Sequence, residues 1–281
     1  FVMEATGVYH EDLAYYLTGN GYEVSIVLPN KISNYFRTLD IKTITDETAA
    51  EAITLFGLSR HLDTWTPPKE SYRMLRQIIR ERDQILQSRT AAKNQLHAEN
   101  AGAYPHKSSV KRTQKLIAFL DKQEQEINQE IKELVQNDPE IKKTLKVLCT
   151  IPGIGLLTAS TVLAETNGFD LIRNKRQLVS YAGLDVREKI SGTSVKGKPR
   201  ISKKGNRYLR KAMHFPALAA IRHDERYKAI FARLVARTGI KMKGAVAVQR
   251  KLLEMIYVIF KSGKPYDKEY LKKLESSIAA P

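Results

Sequence analysis

The segment Leu148–Ala159 reads L-C-T-I-P-G-I-G-L-L-T-A and separates two apolar, helix-like stretches. Gly153 and Gly155 permit the positive φ angles of a tight turn and let a phosphate approach the backbone closely. The next helix, which begins near Leu156, directs free N–H groups and the positive end of its dipole at the turn. The pattern predicts a helix-hairpin-helix element that binds the DNA backbone through both glycines; an ordinary interhelical turn is the alternative. If the element binds DNA, we expect Gly153→Val to weaken duplex binding without unfolding the chain.

A strongly basic segment follows at Arg187–Lys211, which holds ten Lys and Arg residues and a single acid, Glu188. Such a density of cations cannot be buried, and it predicts contact with phosphates. Four cations bracket a Gly-Asn turn at the start of a helix and are the predicted DNA-binding residues: Lys203, Lys204, Arg207 and Arg210. Ser191 lies within this field, where cations would stabilise an alkoxide attacking a phosphodiester. The spacing alone favours an ordinary Ser-Gly turn.

Charge is distributed unevenly along the 281 residues, whose formal net charge is +17. The segment Phe1–Thr66 has four basic and nine acidic residues, a net charge of −5. The segment Asp185–Pro281 has 24 basic and eight acidic residues, a net charge of +16. A basic excess concentrated in one third of the chain favours a nucleic-acid partner over a merely solvated basic surface.

Composition argues against several other classes of protein. A hydrophobic fraction of 42% supplies enough apolar residues for a packed core, so wholesale disorder is not expected. The single cysteine, Cys149, cannot form an internal disulfide, and one Cys with six scattered His gives no zinc pattern. The sequence contains no apolar run of the ~18–20 residues that a membrane span needs, and no recognisable leader. We therefore expect no membrane partner and a cytoplasmic location.

The N-terminal region alternates strand-like and helix-like segments. Phe1–Met3 and Glu23–Leu28 read as strands, and Glu11–Thr18 between them reads as a helix. This order predicts a βαβ unit with parallel strands. Because the chain opens inside an apolar strand with Phe rather than Met, we expect its true N-terminus to lie upstream.

Two acids of this region are candidate metal ligands. Glu4 follows the first strand, and Asp46 begins a predicted helix, Asp46–Ser59. Thr45 and Asp46 form a favourable N-cap pair for this helix, and Gly57 is predicted to close it. Carboxylates from a strand end and a helix could hold Mg²⁺ for phosphoryl transfer. Taken alone, two acids so far apart in sequence are more often caps or surface charges.

The region from Lys69 to Asn137 has a helical repeat. Hydrophobic-face positions recur every three or four residues over Tyr72–Leu86 and again over Val110–Leu134, with an interruption at Gly102–Pro105. This spacing predicts an antiparallel coiled-coil hairpin or a helical surface that pairs between subunits; packing within its own domain fits equally well. With the double-proline stop at Trp65–Pro68, the chain divides into predicted domains 1–66, 67–140 and 141–281.

Three stretches together resemble the one-ten family of insertion-sequence transposases. They are M-E-A-T-G-V-Y-H at Met3–His10, T-D-E-T-A-A-E-A-I at Thr45–Ile53, and the C-terminal series I-P-G-I-G, Y-A-G-L, S-G-T and I-S-K-K-G-N-R-Y-L-R-K. Members are RuvC-like, DEDD-type enzymes that carry a serine and are guided by a bridge RNA. The resemblance implies an α/β plus mostly α fold: a truncated RNase-H-like (RuvC-like) catalytic domain, a coiled-coil insert and a C-terminal helical transposase domain. It also implies Mg²⁺, DNA, a structured guide RNA and assembly into dimers or tetramers.

The resemblance assigns roles to three residues. Glu4 matches the family's strand-borne Glu and Asp46 the first of its two helix-borne Asp, so both would hold Mg²⁺. Ser191 matches the serine that links to DNA; supplied by another subunit, it would attack the scissile phosphate, and a DNA hydroxyl would resolve the intermediate. The family's first Asp would lie upstream of Phe1, and Ala49 stands at the position of its last Asp. We therefore expect the chain as given to be inactive in strand transfer.

Two other classes of function stay open. One is a DNA- or RNA-binding protein without catalysis, which Ala49 in place of an Asp would permit. The other is a helix-hairpin-helix DNA-repair nuclease, which would need a Lys or Asp nucleophile just after the hairpin. The segment Leu156–Glu165 offers only Glu165 for that role.

Overall fold

A computed structural model describes residues 1–39, 43, 45–170, 172–188, 190–191, 195–197 and 199–270. The chain forms two compact units, Phe1–Pro68 and Lys69–Pro281. Helices predominate over strands in the described residues. None of the helices in this part of the chain is both long and apolar enough to span a bilayer.

The first unit begins with the predicted βαβ element. Strands β1 (Val2–Glu4) and β2 (Ser25–Val27) pair in parallel, with Met3 opposite Ile26, and α1 (Glu11–Gly19) connects them. The apolar face of α1 buries Ala14 and Leu17 in a cluster with Val24. The strand–helix–strand prediction is confirmed. An RNase-H-like fold of the whole region stays a prediction.

Two further helices complete the first unit, α2 (Pro29–Phe36) and α3 (Asp46–Leu58). Thr45 is the N-cap of α3: its hydroxyl accepts a hydrogen bond from the Thr48 N–H, and the Thr48 hydroxyl accepts one from the Thr45 N–H. The prediction that Gly57 closes the helix is wrong. A Cβ at Gly57 would lie 2.7 Å from Val2 Cγ2, so this glycine lets β1 pack closely against α3.

The second unit opens with two long helices, α4 (Glu70–Ala101) and α5 (Lys107–Asn137), as the repeat predicts. Ion pairs show that the two helices pack antiparallel. Arg82 of α4 pairs with Glu124 of α5, and Arg89, two turns later in α4, contacts Asp121, which lies earlier in α5, as well as Glu124. Arg82 and Glu124, two polar residues within the predicted helical repeat, thus form an ion pair between the helices. A coiled coil, and pairing between subunits, stay predictions.

Helices and short strands follow: α6 (Pro139–Leu148), α7 (Leu156–Thr166), α8 (Lys175–Tyr181), β3 (Val186–Arg187), β4 (Ile190–Ser191), β5 (Val195–Lys196), β6 (Arg200–Ile201), α9 (Arg207–Ala212), α10 (His214–His223), α11 (Glu225–Thr238) and α12 (Lys241–Ser262). One hydrophobic core packs these helices against the N-terminal part of α4 and the C-terminal part of α5. It brings together Leu75 of α4, Ile131 of α5, Leu163 of α7 and Leu252 of α12, all fully buried. The division at residue 140 stays a prediction.

The structure corrects two element predictions in this unit. The sequence predicts one helix over Tyr208–Arg222, but the chain breaks at Met213 into α9 and α10. The break places Pro216 in the first turn of α10, where its missing N–H and bulky ring are tolerated. The sequence also predicts a loop over Lys189–Asn206, where the structure forms two antiparallel strand pairs, β3 with β6 and β4 with β5. Within that loop, residues 189, 192–194 and 198 lie outside the described part.

Candidate functional site

Three of the predicted DNA-binding cations lie at a tight turn between β6 and α9: Lys203 and Lys204 in the turn, and Arg207 at the first residue of α9. Lys203, Lys204 and Arg207 are exposed there. The backbone of the turn is bonded to the segment after α8: the Lys203 N–H donates to the Gly183 carbonyl at 3.1 Å and the Asn206 N–H to the Tyr181 carbonyl at 2.6 Å. The structure therefore presents three cations on a fixed backbone.

Gly205 explains how the turn approaches so closely. Its φ is +149°, and a Cβ would lie 2.4 Å from the Tyr181 carbonyl oxygen and 2.8 Å from the Gly183 N. Any side chain at this position would push the turn off its support.

A buried carboxylate, Glu165 of α7, lies beneath the turn. Its side chain is 1% exposed, and its two oxygens accept hydrogen bonds from Nε and Nη2 of Arg80, both at 2.8 Å. Oε2 also accepts a 2.6 Å bond from the Asn206 side-chain amide. Hydrogen bonding to Glu165 raises the pKa of the Arg80 guanidinium. The pair links the hairpin helix α4 to the basic turn, and neither the composition nor the spacing of the sequence indicates it.

Asn206 also caps α9. Its Oδ1 accepts hydrogen bonds from the N–H groups of Tyr208 at 2.9 Å and Leu209 at 3.1 Å. Because the protein itself satisfies these N–H groups, a bound anion would interact with the cationic side chains rather than with the helix end. Two guanidinium groups lie near the Tyr208 ring, that of Arg80 at 4.8 Å and that of Arg207 at 4.9 Å from its centroid.

Arg210, the fourth predicted cation, is half-buried. Its Nη1 donates a 2.7 Å hydrogen bond to the Ala182 carbonyl, and a Cβ on Gly183 would lie 2.7 Å from the same nitrogen. One part of this side chain therefore holds the Ala182–Gly183 turn in place. Its contact with DNA stays a prediction.

The backbone of Ser191 lies in a narrow β-ribbon that consists of two antiparallel strand pairs, β3–β6 and β4–β5. Ser191 in β4 is opposite Val195 in β5, and the β3–β6 pair lies closer to the base of the ribbon. At that base the Ser202 hydroxyl donates a 2.6 Å hydrogen bond to Asp185 Oδ1, next to Lys203. The Ser191 side chain and residues 192–194 lie outside the described part of the chain, so the role of this serine stays a prediction.

The turn between α6 and α7 uses its two glycines differently. Gly153 has φ +82°, and a Cβ there would lie 2.4 Å from the Pro216 carbonyl oxygen of α10. The expectation that Gly153→Val leaves the fold intact is therefore wrong, because Gly153 is a packing contact. Gly155 is the N-cap of α7, has φ −101° and makes no side-chain cap, and a Cβ would meet no atom within 4 Å. A helix-hairpin-helix motif, and DNA contact by either glycine, stay predictions.

The candidate metal ligands lie in the first unit. Glu4 ends β1 and accepts a 3.0 Å hydrogen bond from the Thr6 hydroxyl, while Asp46 is exposed in the first turn of α3. Gly57, where α3 approaches Val2 of β1 closely, lies about 16 Å from Asp46 along the helix axis. Within the described ranges, no three His, Cys, Asp or Glu side chains come together as a metal cluster. The metal roles of Glu4 and Asp46 stay predictions.

Glu165 is not available as a nuclease nucleophile. Both of its oxygens accept hydrogen bonds from Arg80, Oε2 accepts another from Asn206, and its side chain is buried. The helix-hairpin-helix nuclease alternative thus loses the residue on which it depended.

Comparisons with known proteins agree on one class of enzyme. Residues 1–105 match a family model for the DEDD region of IS110 transposases. Residues 145–232 match the model of the transposase IS116/IS110/IS902 family. The pilin gene-inverting protein of Moraxella bovis is 28% identical over 95% of this chain and 81% of its own length. The transposase for insertion sequence element IS1111A of Coxiella burnetii is 24% identical over 94% of this chain and 78% of its own length.

Two regions of the chain, residues 1–105 and 145–232, thus match domains of one transposase family. The chain belongs to the IS110 family of insertion-sequence transposases, as the sequence resemblance predicts. Membership implies an enzyme that cleaves and rejoins DNA strands, and the DEDD class implies a divalent metal ion.

Proposed function

We propose that the protein, in its full-length form, cleaves and rejoins DNA with Mg²⁺ and a serine nucleophile, Ser191, and that a structured RNA guides it. The observation that carries the proposal is the rigid basic turn at the base of the ribbon on which Ser191 lies. Lys203, Lys204 and Arg207 are exposed on a backbone held by Tyr181 and Gly183. Cations fixed in this way can bind a phosphodiester without first losing the conformational freedom of a mobile loop.

The donor set in the first unit suits magnesium. Mg²⁺ is commonly bound by one or two carboxylates together with waters and substrate phosphates, and Glu4 and Asp46 provide two carboxylates. The Thr6 hydroxyl restrains one Glu4 oxygen, which leaves the other available. When bound, the ion would neutralise charge that develops on the scissile phosphate.

Ser191 would act on the phosphate that the basic turn binds. Its Oγ forms a bond to phosphorus, the bond from phosphorus to the leaving deoxyribose oxygen breaks, and the serine proton ends on the departing hydroxyl. A DNA hydroxyl reverses these steps at the new junction. Lys203, Lys204 and Arg207 would stabilise the negative charge of the transition state.

Assembly into dimers or tetramers belongs to the same proposal. The outer face of α5 exposes Leu116 and Phe119, 48% and 57% exposed, on a hairpin whose repeat is typical of pairing helices. This face would join two copies of the chain.

The proposed phosphate contacts are tested by measuring how the affinity for duplex DNA depends on salt concentration. Each of Lys203→Gln, Lys204→Gln and Arg207→Gln should lower the slope of log K against log salt by about 1, because each removes one phosphate contact. Lys122→Gln is the control, since Lys122 lies on α5 and is 74% exposed beside Glu126. Slopes that stay at the wild-type value in all three variants would contradict the proposed interface.

The nucleophile is tested by trapping the intermediate. Full-length protein, labelled DNA ends and Mg²⁺ are mixed, and protein–DNA adducts that survive denaturation are measured on a gel. We expect Ser191→Ala to abolish the adduct and Glu4→Gln to raise the Mg²⁺ concentration needed for it. An adduct formed by Ser191→Ala would exclude this serine as the nucleophile.

A further inference from the structure

We propose that Phe215 and the cations beside it bind an unstacked nucleotide, whose base stacks on the phenyl ring. This inference rests on the proposed function, since it adds to phosphate binding a contact that an unpaired or flipped-out base makes.

Phe215 is exposed at a rigid position. It is 76% exposed in the first turn of α10, whereas Ala217 two residues on is fully buried. The α10 backbone is fixed on one side by the close approach of the Pro216 carbonyl to Gly153. On another side the His214 ring contacts Phe215 at 5.4 Å, and its Nδ1 is 3.1 Å from the Gln249 amide of α12. The ring is therefore presented to solvent by a packed helix and not by a mobile loop.

Two depressions meet at Phe215. The first has a volume of about 330 Å³; apolar residues that include Ile79 and Leu86 of α4 and Leu157 of α7 line it, and the charged Arg82 and Asp83 of α4 border it as well. The second is lined by five polar residues together with Phe215, and none of these described residues is acidic: Arg207, Arg210, Lys211, His214 and Gln249. Lys211, which also pairs with Asp83, borders both depressions. Phe215 thus borders both a largely apolar depression and a cationic one.

This combination fits a nucleotide better than a protein. Sites for single-stranded nucleic acid combine a positive groove for the backbone with aromatic rings on which bases stack. Lysine is instead depleted at the core of a protein–protein interface, and here Lys211 borders both depressions together with Phe215. A paired base keeps both faces within its duplex, so the ligand must be an unpaired or flipped-out nucleotide of DNA or RNA.

The test uses a short single strand with one 2-aminopurine, made as DNA and as RNA, and the matching DNA duplex. Stacking quenches 2-aminopurine fluorescence, so we expect quenching by wild type and by Phe215→Tyr and none by Phe215→Ala. Phe215→Ala should bind the single strand roughly 5- to 100-fold more weakly, in line with the loss of one stacked base, and leave duplex binding unchanged. Tyr104→Ala removes a 96% exposed aromatic ring outside the groove and should match wild type. The DNA and RNA arms identify which strand is bound.

Three results would overturn the inference. Wild-type quenching and affinity in a folded Phe215→Ala variant would overturn it while leaving the proposed function intact, since duplex binding is scored separately. If wild type binds no strand or duplex at low salt, the proposed function fails together with it. If Phe215→Ala dissociates an oligomer in light scattering without changing strand binding, Phe215 belongs to a protein interface instead.

Discussion

Glu165 is a carboxylate that the fold removes from water, and its partner Arg80 is not equally buried. The Glu165 side chain is 1% exposed and that of Arg80 is 41% exposed. Removing Arg80 should therefore lower the free energy of unfolding by a different amount from removing the charge of Glu165. Arginine without glutamate can turn to water, whereas glutamate without arginine stays buried with its charge.

This asymmetry predicts unequal costs for two substitutions. Arg80→Met should lower the free energy of unfolding by about 3–5 kcal/mol, because it leaves the Glu165 carboxylate buried with the Asn206 amide and no opposite charge. Glu165→Gln should cost less, about 1–2 kcal/mol, since Arg80 remains accessible to solvent. Urea unfolding of both variants measures the difference. Equal costs, or a larger cost for Glu165→Gln, would contradict the burial that the structure shows.

Gly155 permits a substitution with opposite effects on stability and binding. Asp at this N-cap should cap α7 and complement its dipole, so Gly155→Asp should unfold at the same or a slightly higher urea concentration. If the first-turn N–H groups of α7 bind phosphate, the new carboxylate should compete with it and weaken duplex binding. Gly155→Asn, an uncharged cap of similar shape, is the control. Duplex affinity unchanged by Asp would exclude the α7 terminus from the interface.

Gly153, two residues earlier, cannot serve the same purpose. Gly153→Ala places a methyl group against the Pro216 carbonyl at a positive φ and should destabilise the protein by about 1–3 kcal/mol or more. Thermal unfolding of this variant beside Gly155→Ala measures the contrast. If Gly153→Ala unfolds at the wild-type temperature, the close packing of the turn on α10 is incorrect.

At the scale of elements, the junction of α5 and α6 depends on one side chain. Asp138 caps α6 by accepting hydrogen bonds from the N–H groups of Glu140 and Ile141, and it contacts Lys69 and Ser71 at the start of α4. Burial acts to raise the pKa of Asp138. Hydrogen bonds from Ser71, Ile141 and Lys69 outweigh burial and hold this pKa at about 2.

A lowered pKa predicts the pH range in which this junction stabilises the fold. The unfolded value is near ~3.9, so the contribution is complete above that pH and disappears as the pH falls through about 2. Asp138→Asn keeps a cap but loses the charge, and should cost about 1–2 kcal/mol at neutral pH. Urea midpoints at a series of pH values should show the wild-type advantage shrinking with acid. Glu140→Gln is the control, because Glu140 is 74% exposed and its pair with Lys69 contributes little.

The sequence predicts those elements whose signals are local. The repeat along Tyr72–Leu86 and the Gly102–Pro105 break correctly predict α4 and α5, because helical periodicity and a turn are written in consecutive residues. Pro216 is also a local signal for the break at Met213, and the β-branched residues Val186, Ile190, Val195 and Ile201 are one for the short strands around Ser191. The Arg80–Glu165 pair had no such signal, since 85 positions separate its members and only the packing of α4 on α7 joins them.

At the scale of the whole molecule, the sign of the net charge changes between the two compact units, Phe1–Pro68 and Lys69–Pro281. Phe1–Pro68 has four basic and nine acidic residues, a net charge of −5, and contains the candidate metal ligands. Lys69–Pro281 has 43 basic and 21 acidic residues, a net charge of +22, and contains the basic turn. Each unit also has hydrophobic clusters of its own. Phosphate binding and metal chemistry should therefore be separable.

Expression of residues 69–281 alone tests this separation. Because the large core lies entirely within this unit, the fragment should unfold cooperatively in urea. It should bind duplex DNA with the same salt slope as the whole chain, since the phosphate contacts proposed here lie in this unit. Removing the acidic unit should if anything strengthen binding at low salt, because the net charge rises by five. A folded fragment with a markedly smaller salt slope would mean that residues of Phe1–Pro68 also contact the phosphates, and that the two roles are not divided between the units.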